Sequence, residues 1–150
     1  MKKTAILLYL LFAIVFFCFM PSLASACLEY DRTKAMIYAG QYWNRPNDAK
    51  YRVDDNDCTN FGSQAAIAGG IDFSECPGRT DIGKGNKAGT KGIVGVSKLV
   101  TALANGFCFE ITGNSRAKPG DFIVGNKGSH VTIVADESKR YFYGHTNDSI

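Results

Sequence analysis

Three apolar stripes at helical spacing precede Gly106 and strand-like runs follow it, and that division limits the folds open to this chain. Between Asp31 and Asn44, the residues Ala35, Tyr38, Ala39, Tyr42 and Trp43 fall on one helical face, with Pro46 as the stop. A second helix is expected from Cys58, carrying Phe61, Ala65 and Ala68 on one face and ending at Gly69-Gly70, where paired glycines adopt a left-handed end at little cost. Val96, Leu99, Val100 and Leu103 form a third stripe that closes at Gly106. Strand patterns then cover Phe107 to Thr112, Asp121 to Gly125, His130 to Ala135 and Arg140 to His145, separated by clusters of Gly, Pro, Asn and Lys. Helices first and strands afterwards imply an α+β domain with its helices on one side of an antiparallel sheet.

The stretch from Ile71 to Gly92 is rich in glycine and lysine and has no apolar period, so it is expected to be a long surface loop. Its Gly83-x-Gly85-x-x-Ala88 pattern has neither a strand before it nor a helix after it, and no P-loop spacing is present. Phosphate binding is therefore not expected.

Met1-Lys2-Lys3, an apolar run from Ala5 to Met20, and Ala24-Ser25-Ala26 have the order of an export signal cleaved after Ala26. The run is shorter than the about 20 residues a spanning helix needs. Residues 1–26 are thus expected to be a signal peptide and residues 27–150 one domain, secreted or held in the periplasm or cell envelope. Cys27 would then open the mature chain, where lipid modification is a competing fate and the one route to a membrane. Removing Lys2 and Lys3 from 17 basic residues leaves 15 against 14 acidic ones. So even a balance carries no electrostatic footprint for nucleic acid.

Chemistry can come from few places. The two histidines, His130 and His145, both fall in the strand-rich half. His130 opens the apolar run Val131-Thr132-Ile133-Val134, and His145 ends the next strand; as antiparallel neighbours these strands would bring the imidazoles within reach. Cys58 follows Asp57 at the head of the second helix, where unpaired N–H groups and the helix dipole favour a thiolate. An isolated histidine is more often a surface or satisfied core residue, and a secreted cysteine is more often half of a disulfide. No C-x-x-C or H-E-x-x-H spacing is present, so no metal and no cofactor is expected.

Tyr30-Asp31-Arg32-x-Lys34-Ala35, Tyr38-Ala39-x-x-Tyr42-Trp43-Asn44 and Asp57-Cys58-Thr59-Asn60-Phe61-x-Ser63-Gln64 are followed by Pro119-Gly120-Asp121, His130-Val131-Thr132-Ile133-Val134 and Gly144-His145-Thr146-Asn147-Asp148. In this order the chain resembles the bacterial putative amidase domain family, which is similar to the papain-like NlpC-type and CHAP peptidases. The resemblance implies a papain-like fold, Cys58 as nucleophile, His130 as general base and acid, and His145 as the group that orients the imidazole. Asn147 and Asp57 are the secondary candidates. The implied activity is thiol hydrolysis of a peptide or other amide, with peptidoglycan stem peptides among the candidate substrates. The rival reading is an inactive, disulfide-stapled binding module of the same fold.

A bridge between Cys76 and Cys108 is expected, because it would close the glycine-rich segment and leave Cys58 free. Cys27 can compete for either partner.

Overall fold

The computed structural model describes residues 29–51, 58–83, 90–138 and 140–145. Residues 1–26, expected to be a signal peptide, together with Cys27, Asp57 and Asn147, lie outside the described residues. Within them the chain mixes helices with two small antiparallel sheets, which is the expected α+β class.

Helix α1 (Arg32–Tyr42) begins where the Asp31 carboxylate accepts from the Lys34 N–H at 3.0 Å, so one orphan donor of the first turn is satisfied. Those hydrogen bonds also hold the Asp31 carboxyl below its ordinary pKa. Helix α2 (Cys58–Ala68) buries nine of its eleven residues, which makes it the central element of the fold. Its end is a Schellman cap: the Ile71 N–H bonds the Ala66 carbonyl, and Gly70 takes the left-handed conformation at φ 97°. No helix among the described residues is long and apolar enough to cross a membrane.

The expected loop from Ile71 to Gly92 is in part regular. It carries β1 (Arg79–Asp81) paired antiparallel with β2 (Lys91–Ile93), and it buries Ile71, Phe73 and Ile82. The few apolar residues there lack a period because they serve different parts of the core, Ile71 and Phe73 one cluster and Ile82 another. Ser63 of α2 ties this sheet down, accepting from the Ile93 N–H at 3.0 Å while its own hydroxyl donates to the Ile93 carbonyl.

Helix α3 (Val96–Gly106) buries Leu99, Ala102 and Leu103. Its end is bonded differently from that of α2: the Phe109 N–H reaches the Leu103 carbonyl six residues back rather than five, and the left-handed residue is Cys108 at φ 58°. That turn is why the strand expected over Phe107 to Thr112 does not form: the chain is redirected at Cys108, and Ile111 is left 76% exposed. The main sheet has the order β3 (Phe122–Gly125), β4 (His130–Val134) and β5 (Phe142–Tyr143), all antiparallel, with Gly125 opposite His130 and Ile133 opposite Tyr143. The last strand is shorter than the expected Arg140 to His145.

Two apolar clusters meet across α2. One gathers Phe73, Ile93, Leu99, Leu103 and Val131; the other gathers Tyr38, Tyr51, Phe61, Ile82 and Ile133. Gly62 lets the helix approach the sheet, since a Cβ there would lie 2.8 Å from Val131 Cγ1.

The expected Cys76–Cys108 bridge is absent, because Cys76 is a free thiol. The two residues line different hollows: Cys76 faces the C-terminal part of α3 with Thr101, Ala102 and Gly106, whereas Cys108 lies beside Glu29 and Tyr30.

Candidate active site

Cys58 is the first residue of α2, buried and free. A residue in that position stands among the helix's unpaired N–H groups, at the positive end of its dipole. Its sulfur lies 3.8 Å from Thr59 Oγ1. The other described free thiol is less suited to attack, since burial, and next the Asp72 charge, push the Cys76 pKa up.

The helix below Cys58 is held in one orientation by polar contacts as well as by burial. The Tyr38 hydroxyl of α1 donates to Gln64 Oε1 at 2.7 Å, and Asn47 Nδ2 reaches the Tyr38 hydroxyl at 3.4 Å. One turn along from Cys58, Phe61 stacks on His145 with ring centroids 4.0 Å apart and planes 20° from parallel. His145 is buried, and its Nε2 lies 2.6 Å from the Tyr42 carbonyl at the end of α1. A carbonyl can only accept, so Nε2 carries the proton, and in the neutral ring Nδ1 is the acceptor nitrogen.

His130 is half-buried at the start of β4. Consecutive residues of that strand alternate between faces: Val131 meets Gly62 of α2, while Thr132 and His130 both border Gly144. A Cβ at Gly144 would stand 3.0 Å from Thr132 Cγ2, which is tight, and 3.6 Å from His130 Nε2, an ordinary contact. The imidazole thus lies beside Gly144, and Thr132 is the neighbour that favours glycine there.

The site residues therefore come together in part. His130 lies against the residue that precedes His145, as antiparallel pairing of β4 and β5 requires, and His145 lies against the helix that Cys58 heads. Among the described residues no hydrogen bond joins Cys58 to His130 or His130 to His145. Three contributors were missed in the sequence: Phe61 as the stacking partner of His145, the Tyr42 carbonyl, and Gly144. Phe61 had a usable signal, since it stands three residues after Cys58 on the same helix; the carbonyl had none, because any residue supplies one.

The sequence model of the family described as "Putative amidase domain" matches residues 29–150. One relative, described as "Uncharacterized protein YhbB" of Bacillus subtilis (strain 168), is 45% identical over 51 residues, which are 34% of this chain and 16% of that protein. The aligned part thus spans only a small share of that relative. No solved structure matches the chain.

Proposed function

The chain belongs to the putative amidase domain family, and from that premise we propose that it is an exported, papain-like thiol hydrolase that opens an amide bond through an acyl-enzyme on Cys58. The observation that carries this reading is a free cysteine at the first residue of a fully supported, buried helix.

In the proposed reaction the Cys58 proton passes to His130 and the sulfur adds to the substrate carbonyl carbon. The oxyanion that forms is met by the Cys58 N–H and its neighbours at the helix N-terminus. Collapse of this intermediate breaks the C–N bond, and His130 returns the proton to the leaving amine. Water, deprotonated by His130, then attacks the thioester and releases the carboxylic acid with the thiol restored. His145, its tautomer set by Tyr42, positions the second imidazole. The substrate is a peptide or related amide outside the cytoplasm, and stem peptides of the cell wall are the first class to test.

A second reading exchanges the two histidines. His145 stacks on the helix that carries Cys58, while His130 borders Gly144, and this favours His145 as the acid/base. The test is release of amine groups from purified cell wall and from a peptide amide, by the wild-type chain and by the Cys58→Ala, His130→Ala and His145→Ala variants. Loss with Cys58→Ala and with His130→Ala, and a partial effect of His145→Ala, supports the first reading. A larger loss with His145→Ala than with His130→Ala supports the second. Undiminished release by Cys58→Ala removes both, and a wild-type chain that binds cell wall without turnover is the inactive module.

A further inference from the structure

Of the three cysteines among the described residues, Cys58 and Cys76 are free thiols and Cys108 is not. Neither of the first two can then be the partner of Cys108. The sequence offers Cys18, inside the apolar run of the leader, and Cys27, next to the expected cleavage point.

The described chain opens at Glu29, two residues after Cys27, and it opens beside Cys108. Glu29 and Tyr30 line the same cavity of about 940 Å³ as Cys108 and Phe109. The Tyr30 and Phe109 rings lie 4.8 Å apart, and the Tyr30 hydroxyl is anchored on the Gly120 carbonyl at 2.7 Å. Two residues of chain span at most about 7 Å. A disulfide needs Cα atoms about 4.4–6.8 Å apart, so the segment before Glu29 has the reach.

The backbone gives an independent reason. Cys108, two residues past the end of α3, is left-handed, as Gly70 is two residues past the end of α2. A non-glycine residue there is disfavoured unless something outside the local chain holds it.

We propose that Cys108 forms a disulfide with Cys27, which staples the start of the mature chain to the end of α3. Formation removes one proton and one electron from each thiol, and an incoming disulfide takes up both as two thiols. In the cell the oxidant would be a thiol oxidoreductase of the compartment into which the protein is exported, and to that extent the inference rests on the export reading above. The bridge occupies the Cys27 sulfur, so it excludes a lipid thioether at that residue. It also leaves Cys58 as the thiol that the proposed hydrolysis uses.

The experiment starts from chain recovered from expressing cells, processed or not, and equilibrated with glutathione disulfide, so its outcome does not depend on where the cell puts the protein. After denaturation, free thiols are alkylated and the chain is digested without reduction. The expected product is one linked peptide joining Cys27 to Cys108, split by reductant, with Cys58 and Cys76 alkylated. Cys108→Ser is expected to raise the number of alkylated thiols by one, at Cys27, and to lower Tm by about 10 °C. A lipid or an alkyl group on Cys27, or a linkage of Cys108 to any other cysteine, overturns the proposal. Failure of the export reading is seen separately, as residues 1–26 still attached to the recovered chain.

Discussion

The two sides of helix α2 are filled with different chemistry. Toward Leu99, Ile93 and Val131 the contacts are aliphatic, joined by the edge-on rings of Phe73 and Phe107, 5.5 Å apart. Toward α1 they are aromatic and polar: Tyr38 lies against Tyr42, Tyr51 and Phe61, its hydroxyl is bonded to Gln64, and His145 stacks on Phe61. Apolar burial has no preferred direction, so on the first side the rotation of the helix is set by the Ser63 bonds to Ile93 rather than by the aliphatic contacts. Hydrogen bonds and stacked rings are directional, so the second side sets where Cys58 and His145 point. Both sides hold the fold by burial, and the second also carries the ring contact that fixes His145 against the helix.

The largest effect that would break this comparison is at Cys58 itself. Cys58→Ala is expected to reduce kcat/KM by at least about a thousandfold while leaving Tm within a few degrees, as loss of a nucleophile does. Unchanged turnover on a peptide amide would take the site away from α2. Next comes Leu99→Ala on the aliphatic side, which should cost about 2–5 kcal/mol of stability by emptying a fully buried position. Activity per folded molecule should persist, and a chemical denaturation series run beside rate measurements well below Tm will show whether it does.

Tyr38→Phe probes the directional side. It removes the hydroxyl that satisfies Gln64 Oε1, and the acceptor left buried should cost about 1–3 kcal/mol. If stability falls by less than the error of the measurement, that hydrogen bond does not orient the helix. Gly144→Ala is the smallest and most selective change. Its Cβ would press on Thr132 and meet His130 only at ordinary contact distance, so the imidazole is disturbed through a shift of Thr132. The fall expected in kcat is no more than about tenfold, equivalent to about 1.4 kcal/mol of activation free energy. A pH–rate profile displaced along with kcat would tie the loss to the imidazole; an unaltered kcat would show that a shift of Thr132 does not reach His130.

Legibility in the sequence was uneven for physical reasons. The three helices were readable within a few residues because period and end signals agreed, as at Ala65 and Ala68 ahead of Gly69-Gly70. The β1–β2 pair was hidden, since strands of three residues leave too little alternation to detect. Phe107 to Thr112 had a strand's composition, yet Cys108 turns the chain away from the sheet. Among the site residues, Cys58 could be placed at a helix head from its neighbours alone. The lateral positions of His130 and His145 depend on which strands pair.

What the sequence by itself determined is local: an α+β order of elements, a cysteine at the head of the second helix, and a histidine at the start of an apolar strand. What only the tertiary structure decided is which groups touch: the His145 ring on Phe61, its Nε2 on the Tyr42 carbonyl, His130 in the space over Gly144, and Cys76 left as a thiol apart from Cys108. Helical period and turn chemistry act over a few residues and leave a repeating trace in the chain. Contacts between residues about a hundred positions apart are chosen by how whole elements close on one another, and no local pattern records that choice.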